Sequence, residues 1–362
     1  MLFNFKNKLK IDILNAPREH TDYIKGELHY IEESQFLKSD CDVIISFCDD
    51  VKINLKNSIQ VKAPVGYDDE SIYWFDPNNE IARIDFSDFQ NQTTHLSIST
   101  QFNVHFFYII VLYILSFKML KFNGTFFHAS AIKYQNRTIL FPAWRHVGKT
   151  NLMLSFIKDG AEIIADDGVI LFDDGSFIPF SKRMNLLYFN FLEYPELVDK
   201  VSPQMRELKL FMDRVRKGDF EINDRSSTLF LKLIREKVPN NKVTEVKQIP
   251  KKYFVDVIIH LNKNMNADLN YLDIQKINKD KLAVKCAEIT DFELSHFSLA
   301  YNISKIINDN IQVELLEKSK ELFYSIFHSS LKNSKNLFEL NFNKHLKSAE
   351  AKKAICEILK NN

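Results

Sequence analysis

The sequence predicts an α/β fold: a core with a mixed sheet, preceded by a β-rich N-terminal domain and followed by a helical C-terminal tail. Three observations carry that reading. Between residues 124 and 175 the order is strand, turn, strand, loop, helix, strand, and five of the eight glycines fall there, at Gly124, Gly148, Gly160, Gly168 and Gly175. Before it, short runs rich in Val, Ile and aromatics are separated by Asp, Asn, Pro and Gly, the pattern of strands and turns. After it, residues 253–261 (YFVDVIIHL) read as a buried strand, and the chain beyond 311 takes on helical periodicity.

Composition bounds the class. A chain of 362 residues suggests two domains or slightly more, and 45% hydrophobic residues with 31 phenylalanines supply ample core. The 48 basic and 47 acidic residues nearly cancel, so no whole-chain field points to nucleic acid or to an anionic membrane. Cys41, Cys48, Cys286 and Cys356 form no CxxC pair and no metal-ligand spacing, and read as thiols in a reducing cytoplasm. The opening MLFNFKNKLKID has no apolar stretch long enough for a signal peptide, so a cytoplasmic location is expected.

The elements are expected in this order. Residues 1–102 form the β-rich domain, with strands at 41–47, 51–55, Ser71–Phe75 and 81–86. The acidic clusters at 49–50 and 68–70 read as solvated turn charges. Residues 103–122 (NVHFFYIIVLYILSFKMLKF) are the most apolar stretch, yet the uncharged run at 106–117 is twelve residues long. A span needs about 20, so a buried connecting helix is expected, not a membrane segment. Residues 123–305 form the core. Within it, strand 125–133, turn 134–137 and strand 138–141 feed a loop. A helix follows at 151–158 with Gly160 at its stop. Strand 163–165 then ends at Asp166 and Asp167. Residues 169–180 read as a hairpin with Asp-Gly in its turn. Residues 204–237 read as mainly helical, and residues 306–362 as a helical tail that packs on the core or joins copies of the chain.

The loop carries the chemistry. Ala143-Trp144-Arg145-His146-Val147-Gly148-Lys149-Thr150 matches GxxxxGK[ST] except for alanine at the first glycine, so that turn has to tolerate a Cβ. Backbone N–H groups of such a loop and of the next helical turn face phosphates, aided by the helix dipole. Lys149 is expected to reach the β- and γ-phosphates, and the Thr150 hydroxyl to bind magnesium (Mg²⁺). Each residue has a plainer reading as well. His128 can be a hydrogen-bonded buried histidine, the two aspartates a turn start, and residues 144–146 solvated or packed loop positions.

His128-Ala129-Ser130-Ala131, the loop ending Gly148-Lys149-Thr150, and Ala165-Asp166-Asp167 together resemble the catalytic core of HPr kinase/phosphorylase and its wider family of HPr-serine-kinase-like P-loop proteins. The likeness is strong over about 50 residues. It implies a phosphoenolpyruvate-carboxykinase-like α/β P-loop core, ATP and Mg²⁺ as partners, and phosphoryl transfer to a serine hydroxyl of a peptide or protein. Asp167 takes the hydroxyl proton, His128 assists, Lys149 holds phosphate, and Thr150 with Asp166 holds the metal. Two departures stand out. Alanine occupies the first loop glycine, and Leu192-Glu193-Tyr194-Pro195 lacks the Arg-Gly that follows the glutamate in enzymes acting on HPr. Glu193 is carried as a second Mg²⁺ ligand candidate, and HPr as acceptor is not implied. Two other functions fit the loop: a nucleotide-binding switch or assembly module without transfer, and an ATP hydrolase in which Asp167 activates water.

Overall fold

The structure is a computed structural model that describes residues 2–5, 8–28, 31–33, 41–53, 65–68, 70–85, 87–88, 93–180, 183–200, 214, 235–243, 252–264, 271–295, 298, 301–302, 305, 313–332, 334, 336–343 and 346–361. It is a mixed α/β protein, and among the described residues no sheet closes into a barrel. The chain divides into two compact units. Residues 1–126, 170–174 and 283–330 form the first, and 127–169, 175–282 and 331–362 the second. The apolar helix falls in the first unit, and the C-terminal stretch from residue 306 is divided between the two.

The first unit is built on a sheet of β1 (Leu2–Phe5), β2 (Leu9–Leu14), β3 (Ile31–Glu33), β4 (Val43–Cys48), β5 (Val65–Tyr67), β6 (Ser71–Phe75), β7 (Ile81–Asp85) and β8 (Thr94–Ser99). Its order is β3-β1-β2-β4-β8-β7-β6-β5, parallel only where β4 meets β2 and β8. Alternation explains β4: Val43, Ile45 and Phe47 are buried while Ile44, Ser46 and Cys48 are half-buried. Of the strand expected at 51–55, residues 51–53 have no regular structure and the rest lies outside the described residues. Asp68 and Asp76, read as a turn charge and a spacer, are both buried and accept backbone N–H groups that close their turns.

Helix α1 (Arg18–Glu27) was not foreseen, because its buried face is mostly polar: His20, Thr21 and Glu27 are buried beside the single aliphatic Ile24. Helix α2 (Val104–Met119) was. Asn103 caps it by accepting from the N–H of His105 (2.9 Å) and Phe106 (3.3 Å). The ring of His20 on α1 packs edge-on to Phe47 and Phe107, and its Nε2 donates to the Phe102 carbonyl at 2.7 Å. By composition the helical stretch Val104–Phe122 is long and apolar enough to cross a bilayer, and 61% of its apolar window is buried in the protein. Lys118, read as the end of the apolar run, is itself buried, and burial pushes its ammonium down to about 8.

The second unit holds a six-stranded mixed sheet. Its members are β9 (Ala129–Tyr134), β10 (Arg137–Pro142), β11 (Glu162–Ala165), β12 (Val257–Asn264), β13 (Leu272–Lys276) and β14 (Asn336–Asn343), in the order β11-β9-β10-β12-β14-β13. Strands β10, β12 and β14 run parallel, and the outer pairings are antiparallel. The β9–β10 turn uses Gln135 and Asn136 at φ 50° and 61°, the left-handed pair a two-residue hairpin requires. Helices α3 (Lys149–Ile157) and α4 (Tyr188–Glu193) and the C-terminal helix α5 (Ser348–Asn361) also lie in this unit. Ile132, Ile139, Phe141, Phe156, Ile163, Ile259, Phe338 and Ile355 share one core.

Three expectations change here. The strand at 125–133 is broken at His128, which separates Gly124–Phe127 from β9. The run at 253–261 is likewise two strands, Tyr253–Phe254 and β12. The tail is not purely helical, since β14 lies between β12 and β13 in the sheet. Strands also occur at Val169–Phe172 and Ser176–Pro179, where the hairpin was expected, with Gly175 at φ 78° between them. Of the helical reading at 204–237, all but residues 214 and 235–237 lie outside the described residues. Residues 235–239 form a strand paired with Arg183–Leu187.

Candidate phosphate and metal site

The residues singled out by sequence meet at the N-terminal end of α3. Strand β10 ends at Pro142, and residues 143–148 form the loop that leads into the helix. Ala143 is fully buried in the core and is not among the residues at positive φ. The position therefore needs no glycine, and its Cβ adds to the core. The left-handed positions are His146 at φ 61° and Gly148 at φ 113°. A Cβ on Gly148 would meet no atom within 4 Å, so glycine is needed there for its backbone angle and not for space.

Gly148 is the N-cap of α3, with no side-chain cap. The first helical bond runs from Leu152 N to the Gly148 carbonyl at 3.0 Å, so the amides of residues 149–151 precede the intrahelical ladder. Such amides favour an anion.

Lys149 is buried at 4% exposure. Its Nζ lies 2.5 Å from His128 Nε2 and 3.4 Å from the carbonyls of Ala143 and Trp144. An ammonium has donors only, so Nε2 accepts and the ring proton belongs on Nδ1. The break in the strand places His128 at that spot, and its own carbonyl accepts from Ala143 N at 3.5 Å. His128 Nε2 is also 3.9 Å from Asp167 Oδ1, too far for a hydrogen bond.

Asp166 is fully buried. Its Oδ1 accepts from Ser130 Oγ at 2.9 Å, Thr150 Oγ1 lies 3.2 and 3.3 Å from its two oxygens, and Oδ2 accepts from Asn185 N at 3.4 Å. Burial pushes its carboxyl up to about 7, with Asp167 adding to the rise and Ser130, Lys149 and Thr150 opposing it. Asp167 leaves the strand in a left-handed conformation, φ 62°, and its side chain is 47% exposed. The two carboxylates thus face different surroundings, one dry and one wet.

Glu193 lies elsewhere around the helix. It accepts from Asn151 Nδ2 at 2.6 Å and from Ser348 Oγ, and the Tyr194 hydroxyl oxygen lies 3.3 Å from it. Its bonds are to these groups and not to Thr150 or Asp166. Trp144, Arg145 and His146 are exposed on the loop.

Sequence reasoning passed over two members of this cluster. Ser130, two residues after His128, holds Asp166, and the two-residue spacing was the available signal. Asn185, on the strand Arg183–Leu187 between buried Met184 and Leu186, has a buried Oδ1 with no hydrogen-bond donor among the described residues. Nothing local in the sequence marks it.

Among the described residues, no set of three or more His, Cys, Asp or Glu side chains is grouped to hold a metal. Mg²⁺ needs less, since it keeps several waters and takes one or two protein oxygens plus phosphate. The Thr150 hydroxyl and the Asp166 carboxylate, 3.2–3.3 Å apart, are hard oxygens of that kind, so the residues present fit the ion. No protein-family model and no curated protein matches this chain.

Proposed function

We propose that the protein binds Mg-ATP at the loop 143–150 and transfers its γ-phosphoryl group to a hydroxyl, the acceptor class being serine on a peptide or protein. The observation that carries the reading is the convergence of Lys149, His128, Thr150, Asp166 and Asp167 at one helix N-terminus, from segments up to 39 positions apart, 128 to 167. The resemblance to HPr-serine-kinase-like proteins, and with it a phosphoenolpyruvate-carboxykinase-like core, supports the same assignment. Phosphoryl transfer asks mainly for positioning and charge stabilisation.

In this reading the amides of the loop and of the first turn of α3 bind the phosphates. Lys149, steered by His128, neutralises their charge. Thr150 and Asp166 would hold Mg²⁺, which would supply charge neutralisation for the transferring phosphoryl group. The acceptor oxygen forms a bond to the γ-phosphorus as the bond to the β–γ bridging oxygen breaks, and ADP leaves with that electron pair. The hydroxyl proton passes to Asp167, whose exposure gives an acceptor access.

The test is calorimetry with Mg-ATP on the wild type and Lys149→Ala. Binding is expected in the wild type, weakened at least tenfold in the variant, since every 1.4 kcal/mol is about tenfold and a buried charged contact is worth at least that. A wild type without affinity, or a variant that binds equally, refutes the site.

A further inference from the structure

The three side chains that hold Asn151 give it a role of its own. Asn151 follows Thr150 directly, in the first turn of α3. Its Nδ2 donates to Glu193 Oε2 at 2.6 Å, its Oδ1 accepts from Asn190 Nδ2, and its carbonyl accepts from Tyr194 OH at 3.1 Å. Each polar group of the residue except its N–H is thereby tied to the segment 190–194.

That segment is itself anchored. Asn190 is 1% exposed, and its Oδ1 accepts from Leu187 N at 2.6 Å. Tyr194 is 5% exposed, and its hydroxyl meets Ser348 Oγ at 2.6 Å. Ser348, the first residue of α5, also donates to Glu193 Oε1. Helix α4 and the adjoining Tyr194 are therefore tied directly to Asn151, α5 is tied in turn to Glu193 and Tyr194, and Asn151 adjoins the two residues that would touch phosphate and metal.

We infer that Asn151 is a positioning residue, which with Glu193, Asn190 and Tyr194 fixes the first turn of α3 and hence the aim of Lys149 and Thr150. The inference rests on the Mg-ATP reading of the site. It also gives Glu193 a role other than the metal-ligand role its sequence position suggested. The carboxylate accepts from Asn151 with one oxygen and from Ser348 with the other, joining α3 to α5. Fixing a turn in advance removes an ordering cost that the ligand would otherwise bear.

The experiment is calorimetric titration of Mg-ATP, and of Mg²⁺ at fixed ATP, into the full chain and its variants. Asn151→Ala is expected to weaken Mg-ATP by about tenfold, the scale of one or two hydrogen bonds. Glu193→Ala removes the anchor at an exposed side chain, so it keeps the test open if Asn151→Ala does not fold; about threefold weakening is expected. Glu193→Gln keeps a carbonyl oxygen and is expected to leave the Mg²⁺ half-saturation unchanged.

Combining Asn151→Ala with Lys149→Ala separates aim from general stability. Positioning makes the two non-additive, so that Asn151→Ala adds less than about twofold once Lys149 is gone. A structural role gives a full additive loss, and that result overturns the inference. So does unchanged affinity in both Asn151→Ala and Glu193→Ala while the wild type binds. A tenfold rise in Mg²⁺ half-saturation for Glu193→Gln returns Glu193 to the metal shell and also overturns it. A wild type that does not bind Mg-ATP removes the reading of the site itself, and the inference falls with it.

Discussion

Replacing Asp166 with asparagine is expected to stabilise the ligand-free protein above neutral pH while weakening the proposed Mg²⁺ site. The carboxyl is fully buried and stands at about 7, against an ordinary 3.8. At about 1.4 kcal/mol per tenfold change in proton affinity, ionised Asp166 costs the folded state on the order of 4 kcal/mol at pH 8. The sign follows from proton counts. Between 3.8 and about 7 the folded state holds a proton that the unfolded state has lost, so stability falls as pH rises through that window. Below the window both states are protonated and the penalty vanishes. By pH 5 most of it has gone.

Asparagine removes the charge. It keeps one oxygen for Ser130 or Thr150, whose hydroxyls can also rotate to accept. Its amide then opposes the Asn185 N–H, a conflict of about 1–2 kcal/mol. The variant should therefore gain about 2–3 kcal/mol over the wild type at pH 8 and lose that advantage by pH 5. In melting temperature the swing between the two pH values is about 3–4 °C for a chain of 362 residues unfolding as one. Calorimetric melts of both proteins in a metal-free buffer with chelator measure it. A difference between variant and wild type that does not change with pH refutes the buried, elevated carboxyl.

Asp167→Asn should keep Mg-ATP affinity and lower phosphoryl transfer by about 10²–10⁴-fold, measured as phosphate incorporation into an acceptor. Asparagine tolerates the left-handed φ of 62°, so the backbone is preserved, and full transfer by the variant removes the general-base role. Asn103→Ala removes the cap of α2 and should lower stability by about 1 kcal/mol in denaturant titration. No loss there means that water satisfies the two N–H groups equally well.

The parts of the site that were legible in the sequence are those whose chemistry is local. Gly148, Lys149 and Thr150 adjoin one another, and a helix start after a strand is a short-range pattern. The β9–β10 turn was readable for the same reason, since Gln135-Asn136 lies between two apolar runs. Strand β14, NLFELNFN, was not readable. It has no β-branched residue, and its flanks are helical. It becomes a strand because β12 and β13 pair with it on either side, and β12 precedes it by more than 70 residues. The break at His128 was hidden as well. The strand continues in sequence pattern across it, and only the approach of Lys149 gives the interruption its use. Glu193 was placed from a resemblance, whereas its partners Asn151 and Ser348 come from two other helices, a relation no local pattern carries.

The aspartate pair shows how one short turn separates two chemical jobs. Alternation along a strand was expected to send the two side chains to opposite sides. The separation comes instead from the left-handed turn at Asp167, which ends the extended chain directly after Asp166. Asp166 stays beneath the helix N-terminus, held by Ser130 and Thr150, and Asp167 emerges into solvent beside His128. A protein selected for stability alone has no use for the first of these, because an apolar or amide side chain there is cheaper by the reasoning given for Asp166→Asn. On the proposed Mg-ATP reading, a carboxylate kept in a dry place at a cost, next to the Thr150 hydroxyl, would be accounted for by a cation that it receives when substrate is bound. The exposed partner carries no such cost, and its access to solvent is what an incoming hydroxyl requires.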